Sequence, residues 1–193
     1  MAGQAGKRQD RRVGKTRGAI QSAFQSLLLE QSYASITVQD ILDRADVGRS
    51  TFYAHFDGKG DLLRQLVDSI CDHALNPTTP EHHHDFVGRN EPEAIVEHML
   101  CHLHERESGV CALLTGDAAS MFTDYLRGEL AKRADTVVEV RPGTPAEGMD
   151  RAFLVNHIAG SFVELVIWWA RGGFAASAHE LAQSYLAAIR PLL

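Results

Sequence analysis

Apolar residues recur at three- and four-residue intervals along almost the whole chain, and no stretch alternates apolar and polar residues between turn signals. The first spacing lines one face of a helix and the second would line a strand. The chain must therefore bury helix faces against helix faces, which makes it all-α. Ile20, Ala23, Phe24, Leu27 and Leu28 predict an amphipathic helix over about 14–31. Thr37 is a good N-cap for a helix carrying Val38, Ile41, Leu42 and Ala45 on one face. Gly48 breaks that pattern, a short segment Arg49 to His55 follows, and Phe56 to Gly60 reads as a turn in which Asp57 or Asp61 can cap what comes next. Leu62, Leu63, Leu66, Val67 and Ile70 mark a connecting helix over 59–75. The stretch 76–92 holds three prolines and His82-His83-His84 and reads as a solvated linker. Beyond it, helices are expected over 93–106, 117–136 and 150–171, with a short apolar segment at 109–115 and a loop at 137–148. Gly172-Gly173 ends the long helix, and Ser177 caps a last one to about Ile189. Val137 to Val140 is the only strand-like fragment and has no partner, and no repeat of 20–50 residues is visible.

Charge is distributed unevenly over the 193 residues. The net charge is −6, yet residues 1–17 carry Lys7, Arg8, Arg11, Arg12, Lys15 and Arg17 against Asp10. Residues 1–64 hold 10 basic and 7 acidic groups, whereas residues 65–193 hold 9 and 18. A basic head on an acidic body attracts a polyanion at one end only. The odd cysteines Cys71, Cys101 and Cys111, with no apolar run in residues 1–18, point to a reducing cytoplasm. The apolar stretch Ala159 to Ala170 is interrupted by Ser161 and Glu164 and is too short to span a bilayer, so no membrane is expected.

The two short helices around Asp46-Val47-Gly48 have helix-turn-helix spacing, with glycine available for a sharp turn. Ile41, Ala45, Val47 and Phe52 would form the small core between them. The second helix would present Arg49, Ser50 and Thr51 to base edges, arginine pairing bidentately with guanine. Tyr53, His55 and Lys59 carry donors for phosphates.

The runs Ile36-Thr37-Val38-Gln39-Asp40-Ile41 and Ala45 to Phe56, followed by Lys59-Gly60-Asp61-Leu62-Leu63, resemble the signature of TetR/AcrR-type regulators over about residues 14–75. Two positions depart from it. Asp46 stands where that family usually has glycine or another small residue, and Gly48 where a hydroxyl residue is frequent. The resemblance implies an N-terminal three-helix DNA-binding domain joined to a C-terminal helical domain for ligand binding and dimerisation. It divides the chain into a basic flexible arm (1–13), the DNA-binding unit (14–58), the connecting helix (59–75), the linker (76–92) and the C-terminal domain (93–193). It implies phosphate contacts from Thr37, Tyr53, His55 and Lys59, and base contacts from Arg49, Ser50 and Thr51; Arg17 of the basic segment is added to this surface. It also implies a homodimer on a pseudo-palindromic double-stranded operator, most often a repressor released by a small molecule.

Helix 150–171 is apolar on nearly every side, apart from a narrow stripe of His157, Gly160, Ser161 and Glu164. A helix of that kind is buried, one face on its own domain and one on a partner. Ala152, Ala159, Val163 and Val166 are assigned to the partner, together with Leu181, Tyr185, Leu186 and Ile189 of the last helix. A ligand pocket would take walls from Met99, Phe122, Leu126, Phe162 and Trp168 and polar groups from His98, His102, Tyr125, Asn156 and His157. His98 and His102 have the spacing of a metal pair, but no third ligand follows from the sequence. A metal-responsive regulator and a helical co-regulator acting through protein contacts are the alternatives. No phosphate loop, nucleophile elbow or carboxylate pair supports an enzyme, and no cofactor is expected.

Overall fold

The computed structural model describes the backbone of residues 3–75, 92–105 and 107–192, and the side chains of 13–72, 92–105, 109–136 and 138–191. Among these residues the chain forms α1 (Gly3–Glu30), α2 (Val38–Ala45), α3 (Arg49–Tyr53), α4 (Lys59–Leu75), α5 (Pro92–Glu105), α6 (Glu107–Thr115), α7 (Ala119–Val137), α8 (Arg151–Arg171) and α9 (Ala178–Ile189), and no strand. The first helix begins at Gly3 and not near residue 14, so the backbone of the segment assigned to a flexible arm is helical from there. The short apolar segment expected at 109–115 is a full helix, α6. The linker at 76–92 lies outside the described residues apart from Pro92, which opens α5 at the position where a missing N–H costs nothing.

The caps explain where the helices stop and start. Thr37 and Asp40 form a reciprocal capping box on α2, and Ser177 and Glu180 form another on α9. Asp150 caps α8 by accepting the Phe153 N–H at 2.8 Å. At the other end of α8, Gly173 adopts φ 66. Its N–H bonds to Ala170 O at 3.1 Å, and the Phe174 N–H bonds to Trp169 O at 3.0 Å. The Phe174 ring then packs edge-on against Trp169 at 4.9 Å, so the helix stop and its apolar clasp are one motif.

One apolar core runs through the molecule from Ile20 on α1 to Ile189 on α9. α4 packs against α5 and α7, α7 against α8, and α5 against α9. Cys71 lies inside this core, where burial pushes its thiol up to about 12, so it stays protonated and behaves as a small apolar residue. Among the described residues α8 has the length and composition to cross a membrane, but one side of it is packed on α7 and α9.

The turn between α2 and α3 corrects one expectation. Its left-handed residue is Asp46, with φ 53 and ψ 50, whereas Gly48 has an ordinary extended backbone at φ −76. Asp46 thus occupies the conformation for which glycine is best suited, and aspartate is among the few other residues that tolerate it. Asp46→Gly is expected to hold or raise stability by up to about 1 kcal/mol. Asp46→Val should lower it by about 1–2 kcal/mol, both read from urea unfolding.

Candidate nucleic-acid interface

The helix-turn-helix is assembled from its buried side. Ile41 and Phe52 are fully buried, Leu42 and Phe56 nearly so, and half-buried Ala45 and Val47 pack against them. Phe52 meets Phe56 at 5.7 Å between ring centroids. With Phe52 turned inward, the remaining side chains of α3 are sorted by helical geometry: Arg49, Ser50 and Tyr53 are exposed, and Thr51 is half-buried. Tyr53 rests edge-on against Phe52 at 5.2 Å while half of it remains open to solvent. His55 is half-buried beside Phe56.

Arg49 donates to Oε1 of Gln39 at 3.1 Å, and Gln39 Nε2 in turn donates to Asp43 Oδ1 at 2.8 Å. Gln39, on the exposed side of α2, therefore stands beside the residue expected to read bases, and an amide can itself pair with a base edge. Sequence reasoning missed it. Its only signal was a polar position in the first turn of the first helix of the motif.

Three of the residues expected on the DNA-binding surface have other work in this structure. Lys59 Nζ donates to the carbonyls of Tyr33 at 2.7 Å, Ala34 at 3.3 Å and Ile36 at 2.9 Å. It also sits 4.4 Å above the centre of the Tyr33 ring. An ammonium has three donors, so Lys59 holds the turn between α1 and α2 and is not a free point charge. Thr37 spends its hydroxyl proton on Asp40 Oδ2 at 2.7 Å and accepts the Asp40 N–H at 3.2 Å. The Thr37 hydroxyl and next the Thr37 backbone N–H, which donates to the same Oδ2 at 2.8 Å, hold the Asp40 carboxyl below its usual range. Arg17 donates to Gln65 Oε1 at 2.8 Å, joining α1 to α4, yet remains exposed. Tyr53 stays exposed on the outer side of α3.

The residues that carry this surface and the helices behind it match known proteins. The family model described as bacterial regulatory proteins, tetR family, covers residues 20–66, and the one described as transcriptional regulator C-terminal region covers residues 90–190. The chain belongs to the TetR family of transcriptional regulators. A crystal structure of a TetR transcriptional regulator from Streptococcus agalactiae is similar over 95% of this chain and 98% of its own, at 29% identity and TM-score 0.64. DhaS, named as the activator of a dihydroxyacetone kinase operon, shares the fold at 18% identity and TM-score 0.63, over 91% of this chain and 94% of its own. The uncharacterized HTH-type transcriptional regulator YxbF of Bacillus subtilis is 40% identical over 74 residues, 38% of this chain. The match spans only 20% of the length of YxbF.

In this TetR-family chain the C-terminal assignments change places. Ala159, Val163 and Val166 were expected at a partner but are buried within the chain, Val163 and Val166 at 0% exposure. Leu181, Tyr185, Leu186 and Ile189 are buried too. Tyr185 packs edge-on against Phe162 at 5.5 Å and donates its hydroxyl proton to Ile158 O at 2.8 Å, which ties α9 to α8. Of that set only Ala152 is exposed. Asn156, His157 and Trp168, expected to line a pocket, lie instead on the exposed side of α8 with Phe153 and Glu164. Phe153 and Trp168 are 61% and 63% exposed, and His157 stacks on Phe153. Of the stripe read as the one polar interruption of α8, His157 and Glu164 are on its outward face, whereas Gly160 and Ser161 are half-buried.

The other pocket candidates are interior. Met99, Phe122, Leu126 and Phe162 are buried, and Tyr125 is half-buried. His98 and His102 are both buried on α5, their Nε2 atoms 2.8 Å apart. His102 Nδ1 lies 3.0 Å from Glu105 Oε2. Among the described residues no group of three His, Cys, Asp or Glu side chains comes together to hold a metal. Lys59→Met is expected to lower stability by about 1.5–3 kcal/mol, because three carbonyls lose a charged donor. Tyr53→Phe should leave stability unchanged; urea unfolding of the two variants separates the structural lysine from the surface tyrosine.

Proposed function

We propose that this TetR-family protein is a cytoplasmic, homodimeric operator-binding regulator, a repressor that a small molecule releases from DNA. The observation that carries the reading is the outward set Arg49, Ser50 and Tyr53 on a short helix whose inner side is locked by Phe52. Arg49 would pair with guanine, Ser50 and Thr51 would contact neighbouring bases, and Tyr53 and His55 would hold phosphates. The basic residues up to Arg17 would add sequence-independent attraction.

A second copy of the chain is the natural cover for the exposed side of α8. Phe153 and Trp168 stand at opposite ends of that face, with exposed His157 and Glu164 between them, so two such faces can meet through aromatic anchors and polar groups. A twofold axis there would place two α3 helices on successive major grooves of a pseudo-palindrome. The effector would enter the helical body near Met99 and the buried His98–His102 pair, where polar groups inside an apolar wall can orient a guest. It can act only by binding one arrangement of the dimer more tightly than the other.

Selection of bound duplexes from a random pool tests the reading. Recovery of a twofold-symmetric sequence is expected, with affinity that falls steeply with salt. Failure to bind duplex DNA would instead favour a co-regulator acting through protein contacts. Arg49→Ala should weaken binding to the selected sequence by about 1–3 kcal/mol and relax preference at one position per half-site. An unchanged preference would overturn the base-reading role. Phe153→Asp combined with Trp168→Asp should yield a folded monomer in sedimentation that no longer holds the full operator. A reporter fused to that operator reads the sign of regulation. Zinc or nickel that released the operator from the wild type, but not from His102→Ala, would identify the effector as a metal.

A further inference from the structure

The turn between α1 and α2, residues 31–37, is held from two sides by opposite charges. Asp117, in the turn between α6 and α7, accepts the Tyr33 N–H on Oδ1 at 2.8 Å and the Ala34 N–H on Oδ2 at 2.5 Å. Lys59, the first residue of α4, takes the carbonyls of Tyr33, Ala34 and Ile36. The same short peptide therefore lies between an anion supplied by the C-terminal body and a cation supplied by the DNA-binding end. Charge-assisted bonds of this kind are the stronger class, and bonds in series along peptide groups reinforce one another. The Tyr33 side chain adds to the grip, its ring beneath the Lys59 ammonium and its hydroxyl donating to Met121 Sδ on α7 at 3.8 Å.

The turn that presents Asp117 leaves little room for change. The Gly116 N–H bonds to Ala112 O at 3.0 Å, and a Cβ on Gly116 would stand 2.6 Å from that same oxygen. Any other residue there must shift the backbone that carries Asp117. From Ala118, which is buried, α7 runs to Arg133, whose guanidinium bonds to Asp68 at 3.4 Å and to Asp72, both on α4. Arg133 is braced in turn by Glu129 at 2.6 Å. α7 is thus tied to the N-terminal half near both of its ends, while its flank packs on α8. Thr37, the cap of α2, follows the gripped Ala34 by three residues.

We propose that Asp117 is a positioning residue through which the C-terminal body sets the placement of α2 and α3 for DNA. This rests on the operator-binding reading above. A displacement of α7 is delivered to the α1–α2 turn by Asp117 and from there to the cap of α2, while Lys59 keeps the turn attached to α4. Asp117 itself need not touch DNA.

The experiment uses the full-length protein and the selected operator. Asp117→Ala removes both acceptors, Asp117→Asn keeps one acceptor without the charge, and Gly116→Ala displaces an intact Asp117. Asp117→Ala is expected to lower operator affinity about tenfold, a part of what its two charge-assisted bonds contribute. Affinity for random-sequence DNA and the salt slope should stay as in the wild type. The amides of Tyr33 and Ala34 should exchange faster with deuterium. Gly116→Ala should give the same pattern, and Asp117→Asn a weaker one that also serves if the alanine variant does not fold. Faster exchange with unchanged operator affinity would reduce Asp117 to a local cap and overturn the proposal. So would a parallel rise in affinity for operator and random DNA, which is the mark of a lost negative charge alone. A wild type that selects no operator defeats the underlying reading, and that failure is visible before any variant is compared.

Discussion

The burial of Phe52 is the contact on which the DNA-facing surface depends. α3 has only five residues, far below the length at which a helix holds itself together in water. It exists because Phe52 is drawn into the space bounded by Ile41, Leu42 and Phe56, and its first turn is set by the preceding cap and turn. Once that ring is inside, helical geometry leaves Arg49, Ser50 and Tyr53 no other place than outside. The polar surface is thus a consequence of the apolar one. Damage to the core at Phe52 would abolish recognition without removing a single group that touches DNA.

Elements governed by near neighbours were legible in the sequence. The Thr37 and Ser177 caps, the Gly172-Gly173 stop and the periodicity of α4, α5, α7 and α8 all depend on residues within a turn or two. The misassignments share the opposite cause. Lys59 looks like a free cation until the carbonyls of Tyr33, Ala34 and Ile36, more than 20 positions earlier in the chain, come within its reach. Asp117 carries no signal at all, because its partners lie 83 and 84 positions away. Asp46 and Gly48 were exchanged because glycine is the better guess for a left-handed turn, and here aspartate takes that conformation.

α8 shows a further limit of periodicity. A helical wheel identifies a helix apolar on most sides but cannot say which side meets its own chain. Aliphatic Ala159, Val163 and Val166 look suited to a close twofold contact, and they are equally suited to packing on α7 and α9. The structure leaves outward the face with mixed chemistry: aromatic Phe153 and Trp168 around Asn156, His157 and Glu164. Large aromatic anchors among polar groups are the composition expected of an association surface, more than a smooth aliphatic one. The polar stripe that seemed to interrupt the helix is consistent with a surface that spends part of its existence in water.

The acidic excess of residues 65–193 has an internal use as well as a long-range one. Asp68 and Asp72 hold Arg133, Asp135 holds Arg151, and Asp117 holds two peptide N–H groups. Several of these contacts run between the helical body and the N-terminal half, and all lie at or near the surface, where salt weakens them. These ties lie over a continuous apolar core that Leu63, Leu66 and Val67 of α4 share with Phe122, Leu126 and Leu130 of α7, so most of the adhesion between the two helices is apolar burial and the charges add direction to it. Charge thus fixes how α4 and α7 are aligned, while the apolar core that both helices share holds them together.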